Sequence, residues 1–107
     1  MEEPTACFGE EILDLAKSLP RNVITIPLIS QIVRSGTSVG ANYLEADAAS
    51  TKKDFCYKIA ICRKEAKETR HWLRMIVHIV PENKEEARIL WQEAQEFVLI
   101  FWDLYTL

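Results

Sequence analysis

The most constraining feature of this 107-residue chain is a run of apolar and small side chains at Phe55, Ile59, Cys62, Ala66, Thr69, Leu73, Ile76 and Val80, spaced alternately by four and three. Residues three and four apart share one face of an α-helix, whereas a strand repeats every two, so only a helix with an unbroken seam satisfies this pattern. Held for about 28 residues at 1.5 Å each, the seam is about 42 Å long. Such a stripe needs partners of comparable length to cover it.

The rest of the chain supplies them. Phe8, Ile12, Leu15 and Leu19 predict an amphipathic helix over 8–19, closed by Pro20. After the connector RNVITI, Pro27 stands where a first-turn proline is tolerated, and Ile29, Ile32, Gly36, Val39, Tyr43 and Ala46 continue the three-and-four rhythm to about Ala49. Thr51 followed by Asp54 has the spacing of a capping pair for the long third helix. Pro81 ends that helix, Asn83 with Glu86 marks the start of a fourth, and Ala87, Leu90, Ala94, Phe97, Phe101 and Leu104 form its seam. Four helices joined by short connectors alternate in direction, so the expected fold is all-α, an antiparallel up-down four-helix bundle occupying 1–107 as one domain. Gly36 and Gly40 each weaken a helix by about 1 kcal/mol relative to Ala, which points to close helix approach there.

Three cysteines, Cys7, Cys56 and Cys62, form no CxxC pair and indicate neither a disulfide framework nor a zinc site. The N-terminus, MEEPTACFGEE, lacks the basic-then-apolar order of a secretory signal, and the apolar run from Phe97 to Trp102 falls far short of a membrane span. A cytoplasmic protein with no membrane partner is expected.

Three surface features go beyond a simple bundle. Trp91, Val98, Trp102 and Tyr105 add apolar surface to helix four beside its seam, and self-association is the expected use for it. Helix three carries eight of the thirteen basic residues, and Lys52, Arg63, Lys67, Arg70 and Arg74 fall on one stripe. That stripe could follow a nucleic-acid backbone, RNA or DNA, or pair with the acidic helices one and four, through Glu10, Glu11, Asp14, Glu86, Glu93 and Glu96, within or between subunits. A polar row of Arg34, Ser38, Asn42 and Glu45 along helix two either crosses to a neighbouring helix or subunit or faces solvent.

No arrangement predicts catalysis. Glu68 and His71 form an E-x-x-H pair, but a two-metal bundle needs that motif on two helices, and it occurs once. Arg74 and His78 sit one residue closer than in the Arg–His signature of small helical ribonucleases and are read as structural. There is no glycine-rich phosphate loop and no nucleophile beside a base, so neither an enzyme nor a cofactor, metal or small-molecule substrate is expected.

The segment QIVRSGTSVGANYLE at 31–45, Lys52-Lys53-Asp54-Phe55 and ICRKEAKE at 61–68 resemble the four-helix-bundle proteins first noted as reading frames in intervening sequences of bacterial 23S ribosomal RNA genes. The most specific part is the S-x-x-x-N-x-x-E pattern of Ser38, Asn42 and Glu45. The resemblance implies an antiparallel four-helix bundle assembled as a homopentamer, with no established catalytic activity. The accessory protein of diversity-generating retroelements is similar in fold and binds nucleic acid, which would give the basic stripe a purpose. The chain departs from the family pattern at Ala46 and at Lys64-Glu65.

Overall fold

The computed structural model describes residues 1–107 and contains four α-helices and no strand. They are α1 (Glu2–Ser18), α2 (Thr25–Asp47), α3 (Lys52–Ile79) and α4 (Lys84–Tyr105). Each packs on its neighbours in chain order and α4 closes on α1, leaving α1 diagonal to α3 and α2 diagonal to α4. This is the antiparallel up-down bundle, 44 × 20 × 20 Å, with α3 running its whole length.

The seam of α3 lies in the core as its spacing requires: Ile59, Cys62, Ala66, Thr69, Leu73, Ile76 and Val80 are buried and Phe55 is half-buried. It meets Ile32, Val39 and Ala46 of α2 and Ala87, Leu90, Ala94, Phe97 and Phe101 of α4 in one cluster that also takes Phe8, Ile12 and Leu15 of α1. Each large aliphatic or aromatic side chain buried in this way stabilises the fold by about 1.5–3 kcal/mol.

Helix ends differ from the sequence expectation in three places. α1 begins six residues earlier than Phe8. Pro4 needs no amide partner in a first turn, Glu2 and Glu3 suit the positive end of the helix, and Thr5 Oγ1 donates to the carbonyls of Met1 and Glu2 at 2.8 and 3.0 Å. α2 begins two residues before Pro27, because Asn22 and Thr25 cap each other. The Asn22 side chain accepts from the amides of Ile24 and Thr25, and Thr25 Oγ1 accepts from the Asn22 amide, each at 2.9 Å. At α4 the expected cap is absent. Pro81–Asn83 form a 3-10 turn, and the Asn83 side chain donates to Ser18 Oγ and Glu86 Oε2 instead of accepting from a helix amide. Thr51 does cap α3, accepting from the Asp54 amide at 3.1 Å.

Close approach occurs at the helix-two glycines. A Cβ on Gly36 would lie 2.7 and 2.9 Å from Cγ2 and Cγ1 of Ile12, which is fully buried, whereas a Cβ on Gly40 would meet only Thr5, at 3.4 Å or more. Gly36→Ala is therefore expected to lower unfolding stability by about 1–3 kcal/mol through overpacking. Gly40→Ala, with room for its methyl, should be neutral or stabilising by up to about 1 kcal/mol. Urea unfolding of the two variants measures both; equal effects would refute the reading.

Candidate functional site

The polar row on α2 is divided. Its two ends cross to α3: Arg34 donates to Glu65 Oε2 at 3.0 Å and to Glu68 Oε1 at 2.8 Å, and Lys58 Nζ donates to Glu45 Oε1 at 2.6 Å. Its middle turns back on its own helix, with Ser38 Oγ donating to the Ser35 carbonyl and Asn42 Nδ2 to the Ser38 carbonyl, both at 2.9 Å. The row thus ties α2 to α3 rather than forming a free site.

Behind it lies a polar link that the sequence did not single out. Thr69 Oγ1 donates to Ser35 Oγ at 3.0 Å, both residues being fully buried, and Glu65 is buried beside them under the Arg34 guanidinium. A threonine at a seam position was the available signal for such a partner. Glu68 of the E-x-x-H pair is held by Arg34, His71 packs edge-on against Trp72, and no three His, Cys, Asp or Glu side chains are grouped so as to hold a metal. Burial pushes the Cys62 thiol up to about 12, so it remains a neutral core group beside the Val39 carbonyl.

Three of the five stripe cations, Arg63, Arg70 and Arg74, flank the groove between α3 and α4, and Lys67 lies beside Arg63 in a notch on α3 with Lys64, Glu68 and His71. The Arg63 guanidinium lies 5.0 Å from the ring centre of Trp102, and that of Arg70 lies 5.5 Å from that of Trp91 and donates to Gln95 Oε1. Cation–π contacts of this kind stabilise by about 0.5–2 kcal/mol and leave the cation charged. Lys52, Lys67 and Arg74 are exposed, and none of the five stripe cations forms an ion pair within the chain. Trp91, Trp102 and Tyr105 remain 38%, 47% and 45% exposed, with Trp102 stacked on Tyr105. Val98, grouped with them in the sequence analysis, is instead 6% exposed and packed into the core, where the interval between α3 and α4 encloses it. A cavity of about 240 Å³ opens on this face, with Leu73, Val77, Ala87 and Trp91 as its apolar walls and Arg74, Lys84 and Arg88 at its rim.

The acids expected to answer this stripe within the subunit do not reach it. Glu11 and Asp14 of α1 and Glu86 of α4 share a notch with Ile89, and Glu93 and Glu96 share the next with Ile100 and Cys7. Since α1 is diagonal to α3, this acidic face and the basic face lie on opposite sides of α4. Burial, and then the Glu11 and Glu96 carboxylates, push the Glu93 carboxyl up to about 7.

A small antiparallel helical bundle with a tethered α2–α3 pair and a surface divided by charge is the class these features define. The particular family follows from comparison with known proteins: the family model for the 23S rRNA-intervening sequence protein matches residues 5–102, and the chain belongs to that family. A crystal structure from Bacteroides thetaiotaomicron, described as a protein with unknown function from the S23 ribosomal protein family, superposes with a TM-score of 0.88 at 28% identity, covering 99% of this chain and 98% of that one. No curated protein matches the chain. No helix is long and apolar enough to cross a membrane.

The raised Glu93 carboxyl has a stability consequence for the isolated protomer. The folded chain holds a proton there between about 4.5 and about 7 that the unfolded chain releases, so the contribution is full below about 4.5 and is lost as pH rises through about 7. Glu93→Gln, which cannot ionise, should gain in thermal midpoint relative to the unaltered chain as pH goes from 5 to 8, at concentrations where both are monomeric. A difference that stays constant over that range would contradict this.

Proposed function

We propose that this protein is a non-enzymatic structural or interaction protein, a homo-oligomeric helical scaffold of the pentameric kind that the family resemblance implies. The observation that carries the reading is the aromatic surface of α4. Trp91, which walls an apolar cavity, and Trp102 and Tyr105 further along the helix stay substantially exposed after the protomer's own core is complete. Large aromatic side chains left exposed along one side of a helix in a folded chain mark a partner surface, and the commonest partner is another copy. Light scattering after gel filtration at micromolar concentration should give a mass several times the 12.4 kDa of the chain. A mass of one chain would overturn the proposal.

A second reading is supported by the cations rather than the aromatics. Lys52, Arg63, Lys67, Arg70 and Arg74 share one face without a carboxylate partner, which suits a nucleic-acid-binding accessory protein contacting RNA or DNA phosphates. On this reading binding falls steeply with salt and is lost in the Arg63→Glu, Arg70→Glu double variant while helix content is retained. Absence of binding to either nucleic acid at low salt removes it.

A further inference from the structure

Charge on this protomer is separated rather than mixed. On the α3 side of α4 lie Arg70 and Arg74, with Lys84 and Arg88 at the cavity rim and with Lys67 exposed next to Arg63 on α3. On the α1 side lie Glu11, Asp14, Glu86, Glu93 and Glu96. The four ion pairs of the chain, Arg34–Glu65, Arg34–Glu68, Lys58–Glu45 and Arg88–Glu85, join none of the second set to the first. Each face also carries apolar surface inside its ring of charge. The basic face has the cavity walled by Leu73, Val77, Ala87 and Trp91, and the acidic face has Ile89, 58% exposed, in one notch with Glu86 and the Glu11 and Asp14 carboxylates of α1.

We infer that these two faces are halves of one head-to-tail interface between copies of this chain: the acidic α1–α4 face of one protomer docks on the basic α3–α4 face of the next, with Ile89 directed at the Trp91 cavity. The inference rests on the homo-oligomer reading and specifies its geometry. Three observations carry it. The charges are complementary between faces and alike within each, so a two-fold contact of either face with itself would bring like charges together. Arg63 and Arg70 have no carboxylate partner in their own chain, so their charge is free to be answered by carboxylates of another copy. Finally, at 100° per residue the Trp91 side and the Glu93 side of α4 are about 160° apart, so one protomer can use both faces at once. A contact that uses two different faces continues from copy to copy until rotation closes a ring, and a dimer would leave one face of each kind bare.

Two variants test this, both altered only at exposed positions so that the bundle is retained, with far-ultraviolet circular dichroism as the check on folding. Lys67→Glu with Arg74→Glu spoils the basic face and keeps the acidic one. Glu11→Gln, Ile89→Ser and Glu96→Gln together spoil the acidic face and keep the basic one. Light scattering should find each variant monomeric alone, and an equimolar mixture should form a one-to-one dimer and nothing larger, because only one intact junction is available. An assembled unaltered chain with either variant still assembling alone would overturn the head-to-tail interface and leave the oligomer standing. That result would also be the one expected if the basic face served nucleic acid instead. A mixture that stays monomeric would overturn it too, and an unaltered chain that is itself monomeric would overturn both this inference and the oligomer reading.

Discussion

Ile12 occupies the space that a side chain at position 36 would need, and the position of α1 depends on that vacancy. α1 lies diagonal to α3, their backbones apart, so it is held mainly by α2, reinforced by the edge-on approach of Phe8 to Phe97 at 5.3 Å. Because glycine lets the two backbones come close, Ile12, Phe8 and Leu15 sink fully into the core and turn Glu11 and Asp14 toward α4. The acidic face is thus a downstream product of a missing methyl group on the neighbouring helix. Gly9 faces the Gly36 carbonyl and Thr37 from the other side, which keeps the crossing tight over more than one residue.

The two long pairings of the bundle work differently. α2 and α3 are joined by ion pairs at the edges, Arg34 with Glu65 and Glu68 and Glu45 with Lys58, and by buried hydroxyls within. The α3–α4 pairing has no ion pair between its helices, and its groove is lined instead by arginines laid on indole rings. An ion pair satisfies its charge locally. An arginine on a tryptophan does not, because the ring screens one face of the cation without cancelling its charge. The formal net charge of −3 conceals this, since it sums a satisfied half and an unsatisfied half of the same molecule.

Much of the fold was legible because heptad spacing and helix stops are local properties of the chain. The α3 seam, the breaks at Pro20 and Pro81, the Thr51 cap and the closeness at Gly36 all follow from residues within a few positions of each other. The early start of α1 was hidden because residues 2–7 carry no apolar period; of them only Thr5 is buried, its hydroxyl turned back on the Met1 and Glu2 carbonyls. Asn83 misled because a capping residue is identified by its neighbours in sequence, and here Ser18, sixty-five positions away, takes one of its hydrogen bonds. The surface was less legible than the core. Counting angles puts the five cations of α3 on one stripe, but which helix Arg63, Arg70 and Arg74 face, and that Val98 is enclosed there, depend on the bundle's cyclic order. The buried Glu65 carboxylate was equally invisible, since only the arrival of Arg34 from α2 makes its burial tolerable.

A seam built on a seven-residue repeat carries an ambiguity of phase: displaced by one repeat, about 10 Å along the axis, apolar residues again meet apolar residues. The Ser35–Thr69 hydroxyl pair removes that ambiguity. Slipped by a repeat, the two hydroxyls would part, each keeping only a carbonyl of its own helix, and the cross-helix hydrogen bond, worth about 0.5–1.5 kcal/mol, would be lost. Two small oxygens therefore serve the α2–α3 hairpin as a zero mark on an otherwise repeating scale, and the positions of the charges at both ends of the molecule are counted from it.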